Sequence, residues 1–520
     1  MTHSWLRRTV GTYFGNATAV RDYRAQLRGN RSFVLWAVYL ALMIGYAMIF
    51  YTSTQRSGYE ETISVADLQS RLRTFYESII YFLGAMILLV APGLTATTIV
   101  NERHRRSLDL VFSAPVTPKY YLVGKMLSSY RYTWMLLALS FPVTAVCVVL
   151  GGASFGDVFA VYALLSFQAL ILTSVALVVS TQATNAVGAI SLSYLFTFVY
   201  ALLTSLLAGG LVFAGGMGRQ VGEMSFLATL SPFLLPFTSD SFSMLFGIEV
   251  PNWLLTGVAA VLFCKIALLG AGSVLAPSGS KETIGLRLHG VAYTFLAVFL
   301  VASSTVNTAS AGDLHRVTAA YFTWMMLLVL FVAPAIVCFG WDRERKYWPD
   351  GFVTFRGAII GRPSGGFAYL MLLLGAGFLG AIVATRAATG LWPGTGVVPY
   401  LVWSIGFWTA IWGAGRWISA IASGFRTAQV LLFVLVLMAL WLPPMFFGMI
   451  SDEGATPGSI WSLYPLTPLF FDRDRFVLAV VQGIVLSAFG WGLAFLGERA
   501  LKNPKPRRIR FTGPPPVLRS

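Results

Sequence analysis

Residues 101–127, NERHRRSLDLVFSAPVTPKYYLVGKML, separate two long apolar runs, 76–100 and 132–150. Each run is long enough to cross the hydrocarbon core of a bilayer. The segment between them, which we call the connector, begins with an acidic–basic pair and a basic cluster. It continues through a short apolar stretch and ends on Gly124-Lys125. A basic connector between two apolar runs indicates a chain that crosses a membrane more than once.

The composition places the chain among membrane proteins. Hydrophobic residues make up 57% of the 520 residues and charged residues only 11%, far from the balance of a soluble domain. The net charge of +16 would suit a nucleic-acid-binding protein, but the basic residues lie between apolar runs, as topology signals do. We therefore expect the lipid bilayer as a partner and no nucleic acid.

Apolar stretches near twenty residues predict an all-α polytopic membrane protein with about twelve spans. The predicted spans in the first half of the chain are 32–51, 76–100, 132–150, 158–180, 186–207 and 253–275. Those in the second half are 288–306, 317–340, 366–384, 397–420, 428–449 and 477–496.

The distribution of cations predicts the orientation. If the spans alternate, the clusters of Lys and Arg in 1–31, 101–127, 341–362 and 498–520 all fall on one side. Loops on the opposite side have few cations or balance them with acids, as in 56–67 and 472–475. The positive-inside rule then places both termini in the cytoplasm of a bacterial-type inner membrane and requires an even number of spans.

The segment 16–32, NATAVRDYRAQLRGNRS, predicts an amphipathic helix before the first span. Its apolar residues Val20, Tyr23 and Leu27, with Ala17, recur at helical spacing, and Arg21, Arg24 and Arg28 line the other side. Such a helix would lie in the headgroup layer. A solvated basic flank is the alternative.

The order of features in the connector resembles the first intracellular loop of type-2 ABC transporter permeases, whose transport is driven by a separate ATPase. The resemblance implies that the loop docks in a groove on the ATPase and that Glu102 and Arg103 pair with charges there. It also implies that Pro115 sets a turn and that Lys125 fixes the re-entry of the third span at the surface. The coupling residues expected in this loop are Glu102, Arg103, Arg105, Arg106, Pro115, Gly124 and Lys125. The alternative is a basic loop that serves only topology.

A weak internal duplication predicts two six-helix halves. Pro92 precedes Glu102-Arg103 by ten residues, and Pro334 precedes Glu344-Arg345 by the same interval. No lysine follows Gly366 at the position that matches Lys125, so the second half retains less of the pattern and adds only Glu344 and Arg345 to the coupling residues. The predicted division is a cytoplasmic or interfacial segment, two membrane halves and a basic tail: 1–31, 32–280, 281–497 and 498–520.

The sequence does not predict an enzyme. It has no Gly-x-x-x-x-Gly-Lys-Ser/Thr loop to hold the phosphates of ATP. The four histidines are scattered, and Cys147, Cys264 and Cys338 lie singly in apolar runs, so no metal site or cofactor is expected.

Lys265 is the clearest ionisable residue within a predicted span. A charge there is costly, so it could line a substrate path or extend its amine toward the cytoplasmic surface. A path with so few charges fits an amphipathic or lipid-like cargo.

Together these features predict the permease subunit of an ABC transporter, with ATP hydrolysis supplied by separate ATPase subunits, two per chain. The alternative is a secondary transporter of the six-plus-six type. That class requires buried acids or bases for ion coupling, and the predicted spans offer almost none.

Overall fold

The computed structural model describes residues 15–56, 65–113, 117–149, 152–214, 226–238, 241–245, 248–275, 281–306, 333–338, 355–360, 365–422, 427–436, 438 and 476–502. These residues form helices almost throughout. In chain order to residue 306 the elements are α1 Ala17–Leu27, α2 Asn30–Arg56, α3 Val65–Thr95, α4 Thr98–His104, α5 Ser107–Ser113, α6 Pro118–Val149, α7 Phe155–Gln182, α8 Ala186–Ala214, α9 Phe226–Leu230, β1 Phe242–Leu245, β2 Ile248–Pro251, α10 Asn252–Leu275 and α11 Lys281–Val306. Beyond residue 306 they are α12 Ala333–Val337, α13 Phe355–Ile360, α14 Gly366–Thr389, α15 Val398–Ile421, α16 Thr427–Val436 and α17 Phe476–Lys502.

Nine helical segments within the described residues are long and apolar enough to cross a membrane. They are α2, α3 with α4, α6, α7, α10, α11, α14, α15 and α17. This confirms the prediction of an all-α polytopic membrane protein. The predicted fifth span corresponds to α8, while 317–340 and 428–449 lie mostly outside the described residues. The count of twelve therefore stays a prediction.

Several helices extend well beyond the predicted spans. Helix α6 begins at Pro118, fourteen residues before the predicted start of the third span at residue 132. Its first turns are more polar than the rest, and a hydropathy scan detects only the part of a helix that is apolar enough for lipid. Proline suits the first helical position, because its missing N–H would have no partner there. The second half of the connector is thus the start of α6.

A two-stranded antiparallel hairpin interrupts the helices between α9 and α10. Phe242 of β1 pairs with Pro251 of β2, and Leu245 pairs with Ile248. The sequence analysis did not predict this hairpin, because four-residue strands are too short to show a period of two.

The chain divides into two compact units. The first comprises the described residues within 1–321 and 379–393, and the second those within 322–378 and 394–520. The first unit therefore includes α11, which the sequence analysis assigned to the second half. The predicted boundary at residue 280 and the duplication of the halves stay predictions.

Two apolar clusters hold the first unit together. One joins α2, α3, α6 and α7 around buried residues such as Ile80, Leu83, Leu136 and Leu164. The other lies beside the connector and joins α4, α5, α6, α7 and α10. Burial of these side chains ties the short helices α4 and α5 to long helices, although helices of seven residues would not persist alone in water.

In the second unit, α15 and α17 pack face to face along glycines. Gly406 and Gly413 of α15 lie against Gly483 and Gly490 of α17, so closely that an added Cβ at any of the four would overlap the backbone of the other helix. Small residues of this kind let two helix backbones approach where lipid provides no hydrophobic drive.

Candidate functional site at the connector

The amphipathic helix α1 is present as predicted, and it packs along the first turns of α6. Asn16 begins it: its Oδ1 accepts from the Ala19 N–H at 3.2 Å, which is the N-cap bond. The amide Nδ2 of the same side chain donates to the Tyr120 carbonyl at 2.9 Å. The Ala17 N–H donates to the Tyr120 hydroxyl at 3.0 Å. The residue that caps α1 therefore also fastens it to α6.

Gly124 allows this close approach. A Cβ at this position would lie 2.5 Å from Asn16 Oδ1 and 2.8 Å from Thr18 Cβ. Both distances are shorter than atoms tolerate, so any side chain here would push α1 away. Gly124, predicted as part of the coupling loop, forms the contact surface for α1.

Next to Gly124, the buried Lys125 lies between two carboxylates. Its Nζ is 2.6 Å from Asp22 Oδ2 of α1, and it also contacts Glu102 Oε1 at the end of α4. The Tyr121 hydroxyl donates to the other Glu102 oxygen. Only 5% of Lys125 is exposed, and a lysine so deeply buried requires partners of this kind.

Arg21 completes this group, which we call the charged cluster: Arg21, Asp22, Glu102, Tyr121 and Lys125. Arg21 Nε lies 3.0 Å from Asp22 Oδ1, and its Nη2 lies 3.9 Å from Glu102 Oε1. Two cations thus face two acids, so the formal charges cancel. The cluster links α1, α4 and α6, which are separated in sequence by up to about a hundred residues.

Arg103 makes a second attachment, to the end of α7. Its Nη1 donates to the Ala183 carbonyl at 2.8 Å and its Nη2 to the Thr181 carbonyl at 2.7 Å. Carbonyls at a helix C-terminus lack intrahelical partners, and the planar fork of a guanidinium can satisfy two at once. The cation also opposes the negative end of the helix dipole. Nearby, the Ile99 N–H donates to Ser180 Oγ at 3.1 Å.

The chain turns sharply between α4 and α5. Arg106 has a φ of 55°, the left-handed conformation in which helices commonly end. The Arg106 N–H donates to the Arg103 carbonyl at 3.1 Å, and Ser107 Oγ donates to the Glu102 carbonyl at 3.1 Å. Three basic side chains project from this turn and are exposed, namely His104, Arg105 and Arg106.

The structure separates the predicted coupling residues into two groups. Glu102, Gly124 and Lys125 meet in and beside the charged cluster, while Arg105 and Arg106 face outward. Glu102 and Arg103 were expected to pair with charges on an ATPase, but both are bonded within the chain. Lys125, expected to fix the re-entry of the third span at the membrane surface, lies buried in the first turns of α6, and its place relative to the membrane stays a prediction. Docking on an ATPase stays a prediction for this loop.

Three further predicted coupling residues, Pro115, Glu344 and Arg345, lie outside the described residues. The structure therefore places six of the nine predicted coupling residues, all of them in the first half of the chain.

The sequence analysis missed the roles of Asp22, Tyr121 and Asn16. One signal was available, because Asp22 is the single acidic residue among residues 1–31. An isolated acid in a basic segment suggests a specific partner, although its identity depends on which helix α1 packs against.

Lys265 lies on an exposed face of α10. Its Nζ is 5.8 Å from the centre of the Tyr293 ring on α11, a cation–π contact. This contact does not test the predicted role in a substrate path.

Residues 27–239 match the family model described as ABC-2 family transporter protein. The match includes the whole connector and confirms the resemblance to a type-2 ABC transporter permease. Proteins of this family are membrane subunits that work with ABC ATPase subunits. No curated protein matches the chain.

Proposed function

We propose that this chain, as a type-2 ABC transporter permease, moves an amphipathic or lipid-like substrate across a bacterial-type inner membrane with ATP hydrolysed by two separate ATPase subunits. Both termini lie in the cytoplasm in this proposal, and one chain supplies both halves of the membrane domain. Export is the direction that the family resemblance favours. The observation that carries the proposal is the way the connector is fastened to the spans.

The connector is tied to other helices at two points. Arg103 binds the end of α7 through two carbonyls, and the charged cluster joins the end of α4 to α1 and α6. A push on the turn at residues 105–106 would therefore move α1, α6 and α7 together. Short helices packed on long ones transmit a displacement because a packed core shifts as a body and resists gradual deformation.

The surface that would receive this push is basic. Arg105 and Arg106 are exposed, and neither belongs to the charged cluster. An acidic groove on an ATPase would complement them, and such complementarity sets both the rate and the register of docking. In this proposal Glu102, Arg103 and Lys125 position the docking turn, and Arg105 and Arg106 contact the ATPase.

The first prediction tests docking through Arg105. We expect Arg105→Glu to insert and express normally, yet to weaken co-purification with the ABC ATPase about tenfold or more, because a reversed charge faces an acidic groove. The matched control is Arg28→Glu, an exposed arginine of the same side that lies outside the connector. Affinity is measured by titrating the ATPase against the purified chain in detergent. Reversal of Glu102 would be a poor test, because it would disrupt the charged cluster itself.

In the same preparation the chain alone should not hydrolyse ATP, because it has no phosphate-binding loop. Turnover by the isolated chain, or equal binding by wild type and Arg105→Glu, would contradict the proposal. Equal binding, with transport driven by an ion gradient, would favour a secondary transporter.

A further inference from the structure

One face of α10 carries an exposed apolar stripe that ends on a cation. Leu254, Val258, Val261 and Lys265 follow one another at intervals of four, three and four residues, so they lie on the same side of the helix. All four are exposed. Leu268, three residues further along this side, is buried. The exposed part of the face therefore ends at Lys265.

A contact with α6 indicates the depth of Lys265 in the membrane. The sulfur of Cys264, the residue before Lys265, lies 3.2 Å from the sulfur of Met126. Met126 is six residues, or about 9 Å, before Tyr132, where the apolar run of α6 begins. In the predicted topology Lys265 therefore lies near the cytoplasmic boundary of the hydrocarbon core. The eleven residues from Leu254 to Lys265 extend about 16 Å, close to half of a core of about 30 Å.

The long helices that pack against α10 contain few acids. Lys265 is the single charged residue of 252–275, and α6 contains no acid. The acid of α7 is Asp157, in its first turn, at the end away from the connector. Helix α11 has Glu282 as its second residue, eleven residues or about 16 Å along the helix before Tyr293. Consistent with this, Lys265 takes part in none of the ion pairs that the described residues form.

The amine of Lys265 lies against an aromatic ring. Its Nζ is 5.8 Å from the centre of the Tyr293 ring on α11. A ring attracts a cation without neutralising it, and an ammonium has three N–H donors, so donors remain for an anion. Lys125 differs, because two carboxylates of the chain pair with its amine. A charge at the edge of the hydrocarbon core is costly unless an anion offsets it.

From these observations we propose that the face of α10 that ends at Lys265 binds an acidic phospholipid of the cytoplasmic leaflet. The Lys265 amine donates to the headgroup phosphate, and one acyl chain lies along Val261, Val258 and Leu254 toward the middle of the bilayer. The phosphate is the anion that a membrane supplies at this depth. An acidic lipid offsets the charge of the lysine, whereas a zwitterionic headgroup brings a cation of its own.

This proposal does not depend on an ATPase, so the purified chain can test it. Delipidated protein is titrated with phosphatidylglycerol or phosphatidylcholine, and bound lipid is counted by native mass spectrometry. We expect phosphatidylglycerol to bind preferentially and Lys265→Gln to weaken its binding about tenfold, as for the loss of one charged hydrogen bond. Lys265→Arg, which keeps the charge, should retain the preference. Lys119→Gln, which removes an exposed cation in the first turn of α6, is the control and should bind like wild type.

A second measurement locates the lipid on the wild-type chain. Phosphatidylglycerol with a photoreactive acyl chain should crosslink to the α10 peptide that contains Val258 and Val261, and phosphatidylcholine with the same chain should crosslink there less. Equal effects of Lys265→Gln and Lys119→Gln would reduce the preference to general surface charge and overturn the proposal. Equal binding of the two lipids, as expected if the amine extends into water, would also overturn it. So would preferential binding without crosslinks to α10.

Discussion

Lys125 is the residue at which the contacts of the connector converge. Its amine forms ion pairs with both Asp22 and Glu102. Only 5% of the residue is exposed, so the amine has little access to water. A buried ion pair adds little net stability over an apolar core, because desolvation offsets the attraction. Removing one partner is costly, however, because the remaining charges stay buried. The charged cluster therefore specifies which helices meet.

The second prediction follows from this asymmetry. Lys125→Met should lower the free energy of unfolding by about 2 kcal/mol, because Asp22 and Glu102 then lose their buried cation and keep only the exposed Arg21 as a partner. Adding Asp22→Asn and Glu102→Gln should recover most of the loss, since the charge that then remains, on Arg21, is exposed to solvent. Thermal unfolding in detergent, followed by tryptophan fluorescence, measures both effects.

Lys119→Met serves as the control for this cycle, because Lys119 is exposed on the same helix. We expect a change within about 0.5 kcal/mol for this variant. Equal destabilisation by Lys119→Met and Lys125→Met, or no recovery in the triple variant, would contradict the role of Lys125 as the shared partner.

At the scale of elements, glycines decide which helices approach closely. Gly124 admits α1 to the surface of α6, and in the second unit Gly413 and Gly490 admit α15 and α17 to each other. Other helical glycines have no such role: a Cβ at Gly270 of α10 would meet no atom within 4 Å. The environment of a glycine, and not its presence in a helix, determines what it contributes.

The third prediction uses this contrast. Gly124→Ala should displace α1, because the added methyl group would overlap Asn16 and Thr18. Gly270→Ala should be neutral or should stabilise the chain by up to about 1 kcal/mol, since alanine favours a helix and has space there. Limited trypsin digestion with mass spectrometry measures the difference, because a displaced α1 exposes the bonds after Arg21, Arg24 and Arg28.

Faster cleavage after these arginines is expected in Gly124→Ala only. Unchanged cleavage in Gly124→Ala, or acceleration in both variants, would show that contact with α6 does not hold α1 in place.

At the scale of the whole molecule, the connector and α1 carry exposed cations on what we predict to be the cytoplasmic side. Arg24, Arg28, Arg105, Arg106 and Lys119 are exposed there. Such residues resist transfer across the membrane during insertion and so set the orientation. The docking turn then faces the cytoplasm, as the proposed contact with an ATPase requires.

The fourth prediction concerns this topology. Tags placed before Met1 and after Ser520 should both be cytoplasmic, and a tag inserted within 57–64 should be on the opposite side. Protease protection in intact cells and in inverted vesicles measures the orientation. A terminus cleaved from outside intact cells would contradict the orientation and remove the docking turn from reach of a cytoplasmic ATPase.

The sequence alone determined the membrane character, the approximate positions of the spans that the structure describes, and the amphipathic helix before the first span. These features depend on contiguous residues, because the free energy of transfer into lipid sums along a segment and helical periodicity is local. The resemblance carried by residues 101–127 is equally local, and the family match confirms it.

Only the tertiary structure decided what those residues contact. Lys125 meets Asp22 across 103 positions of sequence, Arg103 binds carbonyls at the end of α7, and Gly124 receives α1. None of these pairings has a local signature, because each depends on which helix surfaces pack together, and apolar helices offer many nearly equivalent faces. Glu102 and Arg103 were therefore recognised as special from their order in the chain, but their partners were set by the packing of α1, α4, α6 and α7.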